Sequence, residues 1–333
     1  MEAVTFPLVV VIVLAVAFDY INGFHDTANA IATSVATRAL HPRQAIAMAA
    51  AFNFIGAFAG TAVAKTIGSG LVQEETTSQA VIIAALTGAI VWNIVTWSLG
   101  LPSSSSHALI GGLLGATVVA AGTGAIRVDG VVGKVLVPMI ASPLLGFAGA
   151  FGLMLGIYWV FRNARRRPLQ HLFRRIQVVS AGFMAFSHGS NDAQKTMGII
   201  TLALFSAGVI PDVTVPLWVI VLAATALSFG TAIGGWRIMR TMGHRVADLE
   251  PVHGFAAETT SATILFTTAH FGIPVSTTHV ISSAIMGVGS SRGPRGVRWG
   301  VARSILIAWV LTIPAAASVA ALAWVLLHGL GLG

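Results

Sequence analysis

The sequence predicts an all-α polytopic membrane protein with about ten crossings in two inverted-topology repeats, with broken helices or helical hairpins at the bilayer midplane. Three observations predict it. The 333 residues are 56% hydrophobic and 9% charged, with a mean hydropathy of +0.85, where a soluble domain carries roughly 25% charged residues. Apolar runs of membrane-spanning length recur from end to end. One eight-residue phrase occurs twice, as Gly100-Leu101-Pro102-Ser103-Ser104-Ser105-Ser106-His107 and, 172 residues on, as Gly272-Ile273-Pro274-Val275-Ser276-Thr277-Thr278-His279.

The first apolar run, 4–37, lacks a basic leader region and continues into Asp19, Asn22 and Asp26, so it is a mature span and not a cleaved signal peptide. A straight helix of that length would measure about 50 Å against a hydrocarbon core of roughly 30 Å. Its polar middle, Asp19 to Asn29, predicts a break near the bilayer centre. Crossings at 44–64 and 79–99 follow. The first hydroxyl cluster then opens 103–123. Proline suits a first helical turn and serine or threonine its cap, so each cluster begins a half-helix. The free N–H groups and positive dipole end of such a terminus form an anion site. A crossing at 131–161 completes the first half. The second half reads 176–209 (with Ser187 to Lys195 in its middle and a second expected break), 214–236, 253–271, 275–290 and 301–328.

Charge fixes the orientation. With Arg38 and Arg43 inside, 15 of the 19 Lys and Arg residues fall inside, in the loops near 38–43, 162–175, 237–252 and 291–303. Lys65, Arg127 and Lys134 fall outside, and Lys195 lies within a span. This is the positive-inside bias, and it puts both termini outside. The net charge of +8 is thus a matter of topology and no sign of nucleic-acid binding. An odd number of crossings per half makes the halves inverted. Asp26 and Gly23 recur as Asp192 and Gly189 at an offset of 166, Lys65-Thr66-Ile67-Gly68 resembles Arg240-Thr241-Met242-Gly243, and Pro143 matches Pro314. The predicted organisation is a first repeat at 1–161, a basic cytoplasmic linker at 162–175 containing Pro168, and a second repeat at 176–333. Cysteine is absent, which excludes disulfides, thiolate metal sites and a cysteine nucleophile.

Four of the eleven acidic residues lie inside apolar spans: Asp19, Asp26, Asp192 and Glu258. A carboxylate at that depth is functional by default, because burying it without a partner is expensive. Asp26 and Asp192 recur in both halves and are the strongest candidates; the structural alternative is a salt bridge between helices, for instance Asp26 with Lys195. Asp19 faces Ala185 in the repeat alignment and Glu258 faces Leu86. The hydroxyls Ser104, Ser105, Ser106, Ser276, Thr277 and Thr278, with Lys195, form the candidate anion site. Asp26, Asn29, Asn191, Asp192, Gln194 and Glu258 form the candidate cation and coupling set. Asp26, Asp192 and Lys195 sum to one negative charge, and a bound oxyanion adds more. Such a total needs bound Na⁺ or protons in a low-dielectric site. Carboxylate, amide and hydroxyl oxygens suit Na⁺ and not a transition metal, with Asp26 and Asp192 as its carboxylate ligands and H⁺ as the alternative ion. No resident cofactor is expected. His25, His107, His188 and His279 are hydrogen-bonded structural elements, and Asn53 and Trp92 are packing positions. No phosphate loop of the ATPase type is present. Ser106 and His107 are adjacent on a helix and cannot form a hydrolase pair, so an enzyme is not expected. Two matched polar sites in two halves read as a transporter with its substrate at the repeat interface.

These residues also carry a resemblance. Phe18 to Asn29, Gly100 to His107, His188 to Lys195 and Gly272 to His279 closely resemble the PiT family of inorganic phosphate transporters, and the resemblance covers nearly the whole chain. It implies secondary active uptake of phosphate across the cell membrane, driven by Na⁺ or H⁺, through an inverted-repeat core that often forms a homodimer. The family's signature aspartates match Asp26 and Asp192, and its hydroxyl clusters match Ser104 to Ser106 and Ser276 to Thr278. A family glutamate is similar to Glu258 in Gly254-Phe255-Ala256-Ala257-Glu258. A second glutamate of eukaryotic members is Asn53 here, and their large soluble loop is reduced to 162–175. Some bacterial members move sulfate, which is the alternative anion. An uncoupled anion channel or receptor is the alternative from another class.

Overall fold

A computed structural model describes residues 5–332. The predicted start of the first crossing at residue 4, and the outermost ends of the 1–161 and 176–333 repeats, lie outside them. The described residues form helices in the order α1 (Phe6–Ala36), α2 (Pro42–Gly56), α3 (Ala62–Ser69), α4 (Gln79–Leu99), α5 (Ser105–Ala121), α6 (Val128–Val131), α7 (Val137–Val160), α8 (Arg166–Ser206), α9 (Leu217–Ile233), α10 (Trp236–Arg240), α11 (Pro251–His270), α12 (Thr277–Ser290) and α13 (Trp299–Gly329). A π-helical turn over Val132–Leu136 joins α6 to α7, and another over Thr241–Arg245 extends α10. Four of these segments are long and apolar enough to cross a membrane: α1, α4, Val128–Val160 and α13. The pair α9 and α10, bent by 59°, makes a fifth.

The breaks expected inside 4–37 and 176–209 are absent. Helix α1 runs 31 residues and α8 runs 41 without interruption. Polar side chains in the middle of a helix do not require it to unwind when neighbouring segments supply their partners, because the backbone bonds stay within the helix. Here His25, Asn29, His188, Asn191 and Asp192 each find a partner on a chain segment far away in sequence. The interruptions fall in the next elements instead. Residues 57–61 separate α2 from α3, and Gly234–Gly235 separate α9 from α10, so the loop expected at 237–252 begins as helix. The 162–175 linker is also helical from Arg166 onward. Pro168 is only the third residue of α8, where its missing N–H would have had no partner inside the helix.

The four predicted crossings around the repeated phrases are the arms of two hairpins, α4–α5 and α11–α12. Each hairpin is closed at its base by an isolated antiparallel bridge, Val72 with Ile126 and Ala247 with Val297. Each tip opens on a glycine in the left-handed region, Gly100 at φ 65° and Gly272 at φ 66°, a conformation that ends a helix and that a side chain would strain. The next helices start at the serine caps Ser104 and Ser276, whose Oγ atoms accept from the backbone N–H of His107 at 3.1 Å and of His279 at 3.2 Å. Residues 102–107 and 274–279 are buried, so the two tips end inside the protein.

The long helices cross the broken ones at glycines. A Cβ on Gly23 of α1 would collide with Leu227 and Thr231 of α9, and one on Gly230 with Tyr20. The same collision links Gly189 of α8 to Asn53 of α2, and Gly56 to Phe186. Two apolar clusters make up the core. Helix α1 leaves one at Phe18 and enters the other at Ala28; α8 leaves the second at Ala185 and joins the first at Ala193. The polar stretches of both helices therefore lie at the seam between the clusters.

Candidate functional site

The seam is where the two hairpin tips meet the two long helices. Asn29 Nδ2 on α1 donates to Thr278 Oγ1 at 2.9 Å, and Asn191 Nδ2 on α8 donates to the Val275 carbonyl at 3.0 Å. Ser106 Oγ reaches the same Val275 carbonyl at 3.5 Å. The rings of His107 and His279, one from each tip, lie 4.7 Å apart edge-on. Trp309 of α13 stacks on His279 at 3.9 Å and donates its Nε1–H to the Pro102 carbonyl at 3.1 Å, tying one half's tip to the other half's helix. All of these side chains but Trp309, at 6%, are 3% exposed or less, so each polar contact exists because water cannot take its place.

Two buried carboxylates sit at this junction. Asp26 Oδ1 lies 2.6 Å from His25 Nδ1, and the other ring nitrogen of His25 lies 3.1 Å from Thr96 Oγ1. Asp192 Oδ1 meets Lys195 Nζ at 2.5 Å and accepts from Thr277 Oγ1 at 2.9 Å; its Oδ2 lies 3.4 Å from His188 Nε2. His188 is held through its other nitrogen, 2.9 Å from Asn53 Oδ1, and Asn53 donates to Thr231 at 2.9 Å. One ligand atom from each of Asp26, His188 and Asp192 falls within 4.8 Å of the others. Two carboxylates at that separation repel, and a cation or proton between them relieves the repulsion. Several polar atoms around them are buried without a hydrogen-bond partner: Ser105 Oγ, Asn29 Oδ1 and Asn191 Oδ1 among the tip and helix residues, and both oxygens of Asp19. In a folded protein such atoms are met by ordered water, an ion or another polar ligand.

The structure thus gathers Asp26, Asn29, Asn191, Asp192, Lys195 and the hydroxyl residues Ser104, Ser105, Ser106, Ser276, Thr277 and Thr278 around one seam. It places two expected members elsewhere. Gln194 Oε1 accepts from the backbone N–H of Val63 at 2.8 Å and of Ala64 at 3.3 Å, capping the first turn of α3, and its Nε2 donates to the Ser190 carbonyl. The break before α3 leaves those N–H groups without helical partners, and Gln194 supplies one. Glu258 is enclosed by donors: Thr33 at 2.6 Å and Gln177 at 3.1 Å to Oε1, and Ser180 at 2.5 Å to Oε2. Thr33 is seven residues beyond Asp26, about 10 Å along α1, so Glu258 stands apart from the seam. The Asp26–Lys195 salt bridge offered as an alternative is not formed, since Lys195 pairs with Asp192 one turn back on its own helix. The convergence of His188 on the two aspartates was not legible in the sequence, where it reads only as a structural histidine. A cavity of about 490 Å³ opens beside the α2–α3 break, lined by Gly60, Lys65, Ser190, Gln194, Thr214 and His270 among others.

This geometry has known counterparts. Residues 22–320 match the sequence pattern of the phosphate transporter family. A Bacillus subtilis protein named "Probable low-affinity inorganic phosphate transporter" is 46% identical over 331 residues, covering 98% of this chain and 99% of that protein. One of the same name from Rhizobium meliloti is 48% identical over 322 residues, 96% of each chain. In structure, the chain resembles "The sodium-dependent phosphate transporter" with a TM-score of 0.89 at 25% identity, covering 97% of this chain and 99% of that one. Matched in sequence across both halves and in fold nearly from end to end, the chain belongs to the phosphate transporter family.

Proposed function

We propose that this chain imports inorganic phosphate across the cell membrane as a secondary active symporter coupled to Na⁺, with the anion held between the two hairpin tips by alternating access. The observation that carries the reading is the meeting of two helix N-termini, α5 and α12, at a buried junction with unpartnered hydroxyl and amide atoms and two carboxylates. The N-termini and Ser105, Ser106, Thr277 and Thr278 attract the oxyanion. Asp26 and Asp192 carry the negative charge that makes its binding depend on a cation. The matched family and the relatives are named for phosphate, which favours phosphate over sulfate, and the sodium-dependent neighbour favours Na⁺ over H⁺. An uncoupled channel fits poorly with a site sealed between two buried tips.

The reading includes the inverted repeat, α1–α7 against α8–α13. It is supported by matched glycine crossings, matched bridges at the hairpin bases and matched prolines, Pro143 in α7 and Pro314 in α13. Both termini then face outward, and the protein works as a homodimer. Cysteines introduced singly at Arg166 and Gly331 should label from opposite sides of the membrane; labelling from one side ends the inverted arrangement. Function is tested in proteoliposomes with labelled phosphate and sulfate, varying the Na⁺ and H⁺ gradients separately. Phosphate should accumulate only with an inward Na⁺ gradient. Uptake that never exceeds equilibrium would replace the symporter with a channel.

A further inference from the structure

The two halves carry matching aspartates, and two of the positions around them differ in formal charge. Shifting by 166 residues takes Asp26 to Asp192 but Asn29 to Lys195, and Asp19 to Ala185. The first half has gained a carboxylate and the second an ammonium. Asp19 and Lys195 are both fully buried.

Asn29 and Lys195 also use their side chains differently. Asn29 reaches the far hairpin through Nδ2 and leaves Oδ1 without a partner. Lys195 folds back one turn and places Nζ on Asp192 Oδ1. Thr277 donates to that same oxygen, whereas Ser105, which takes the place of Thr277 in the first half, has a free Oγ. The second half thus places an ammonium on the Asp192 oxygen that Thr277 also reaches, leaving Asp192 Oδ2 and Asn191 Oδ1 unpartnered, whereas the first half has an amide in the lysine's position and leaves Asn29 Oδ1 and Ser105 Oγ unpartnered.

We propose that Lys195 is a tethered coupling cation: it permanently takes the place beside Asp192 that a mobile Na⁺ takes beside Asp26, so one Na⁺ accompanies each phosphate. This rests on the Na⁺-coupled symport proposed above. An ammonium is a compact monovalent cation, as Na⁺ is, and it satisfies a carboxylate in the same way. Being buried, it must remain compensated throughout the cycle, and Asp192 supplies that charge.

The test is the ratio of labelled Na⁺ to labelled phosphate carried into proteoliposomes by the wild type and by Lys195→Asn, which restores in the second half the amide of the first. The expected ratio is one in the wild type and two in the variant, with steeper activation by Na⁺. A wild-type ratio of two or more overturns the proposal, as does an equal ratio in both proteins. Should the variant fail to reach the membrane, the wild-type ratio decides alone. A wild type whose uptake ignores Na⁺ removes the Na⁺ reading and this inference with it. A Na⁺-driven wild type with a ratio of two leaves that reading standing and sinks this inference only.

Discussion

Asp26 and Asp192 occupy matching places on two long helices, yet their surroundings differ. Asp26 has His25 as its one hydrogen-bond partner among the described residues, and Asn29 Oδ1, one turn on along the same helix, has none. Asp192 is held by Lys195 and Thr277 on one oxygen, with His188 near the other. On the proposal above, Asp26 exchanges its cation, while Asp192 keeps a lysine of its own helix in that place. The difference teaches that a repeated motif need not keep the same contacts, since an asparagine three residues downstream in one half is a lysine paired to the carboxylate in the other.

The largest effect should separate the two aspartates. Asp192→Asn leaves the Lys195 ammonium buried without its partner, and breaking a buried pair from one side costs about 3–5 kcal/mol. Most of the protein should then be lost from the membrane or unfold on extraction, read by size-exclusion chromatography and thermal unfolding in detergent. Asp26→Asn removes no contact with a lysine or arginine. It should extract and melt like the wild type, while concentrative phosphate uptake falls by at least about 100-fold, the equivalent of about 3 kcal/mol of lost cation compensation. Equal stability of the two variants would erase the contrast between an open and a locked carboxylate.

A smaller contrast lies in the hydroxyls. Ser105 has no partner and Thr277 already donates to Asp192. Ser105→Ala should weaken phosphate binding by about 10- to 150-fold, since a hydrogen bond to a charged group contributes roughly 1.5–3 kcal/mol. Thr277→Ala should weaken it less than about 10-fold. Phosphate titrations on the two purified variants decide the order, and a reversed order would place the anion nearer the second tip.

The smallest effect should be the same in both halves. Ser104→Ala and Ser276→Ala each remove a helix cap made to the N–H three residues on. Each should cost about 1 kcal/mol of stability. Matching shifts in thermal unfolding would sharpen the view that the tips are equivalent as structure while the aspartates behind them are not; a clear inequality would show that the hairpins differ in their build as well.

Much of this protein was decided by its sequence alone. Low charge and long apolar runs specify a membrane-embedded helical chain, because lipid leaves backbone groups no other way to be satisfied. The phrases beginning at Gly100 and Gly272 carry a proline and a serine cap, so the starts of α5 and α12 were legible from local preference, while the arms on either side read as separate crossings. Asp26 and Asp192 stood out because apolar spans rarely tolerate a carboxylate. Tertiary structure decided what those groups touch. Asn29 and Thr278 are 249 residues apart, and no local pattern announces that one will satisfy the other and spare α1 its expected break. Gln194 looked like a cation ligand until the gap before α3 claimed it, and Glu258 until Thr33, Gln177 and Ser180 enclosed it. From the sequence, Lys195 could have faced the anion, Asp26 or Asp192. Helix geometry put Asp192 three residues back on the same face, and burial made that nearest carboxylate its partner.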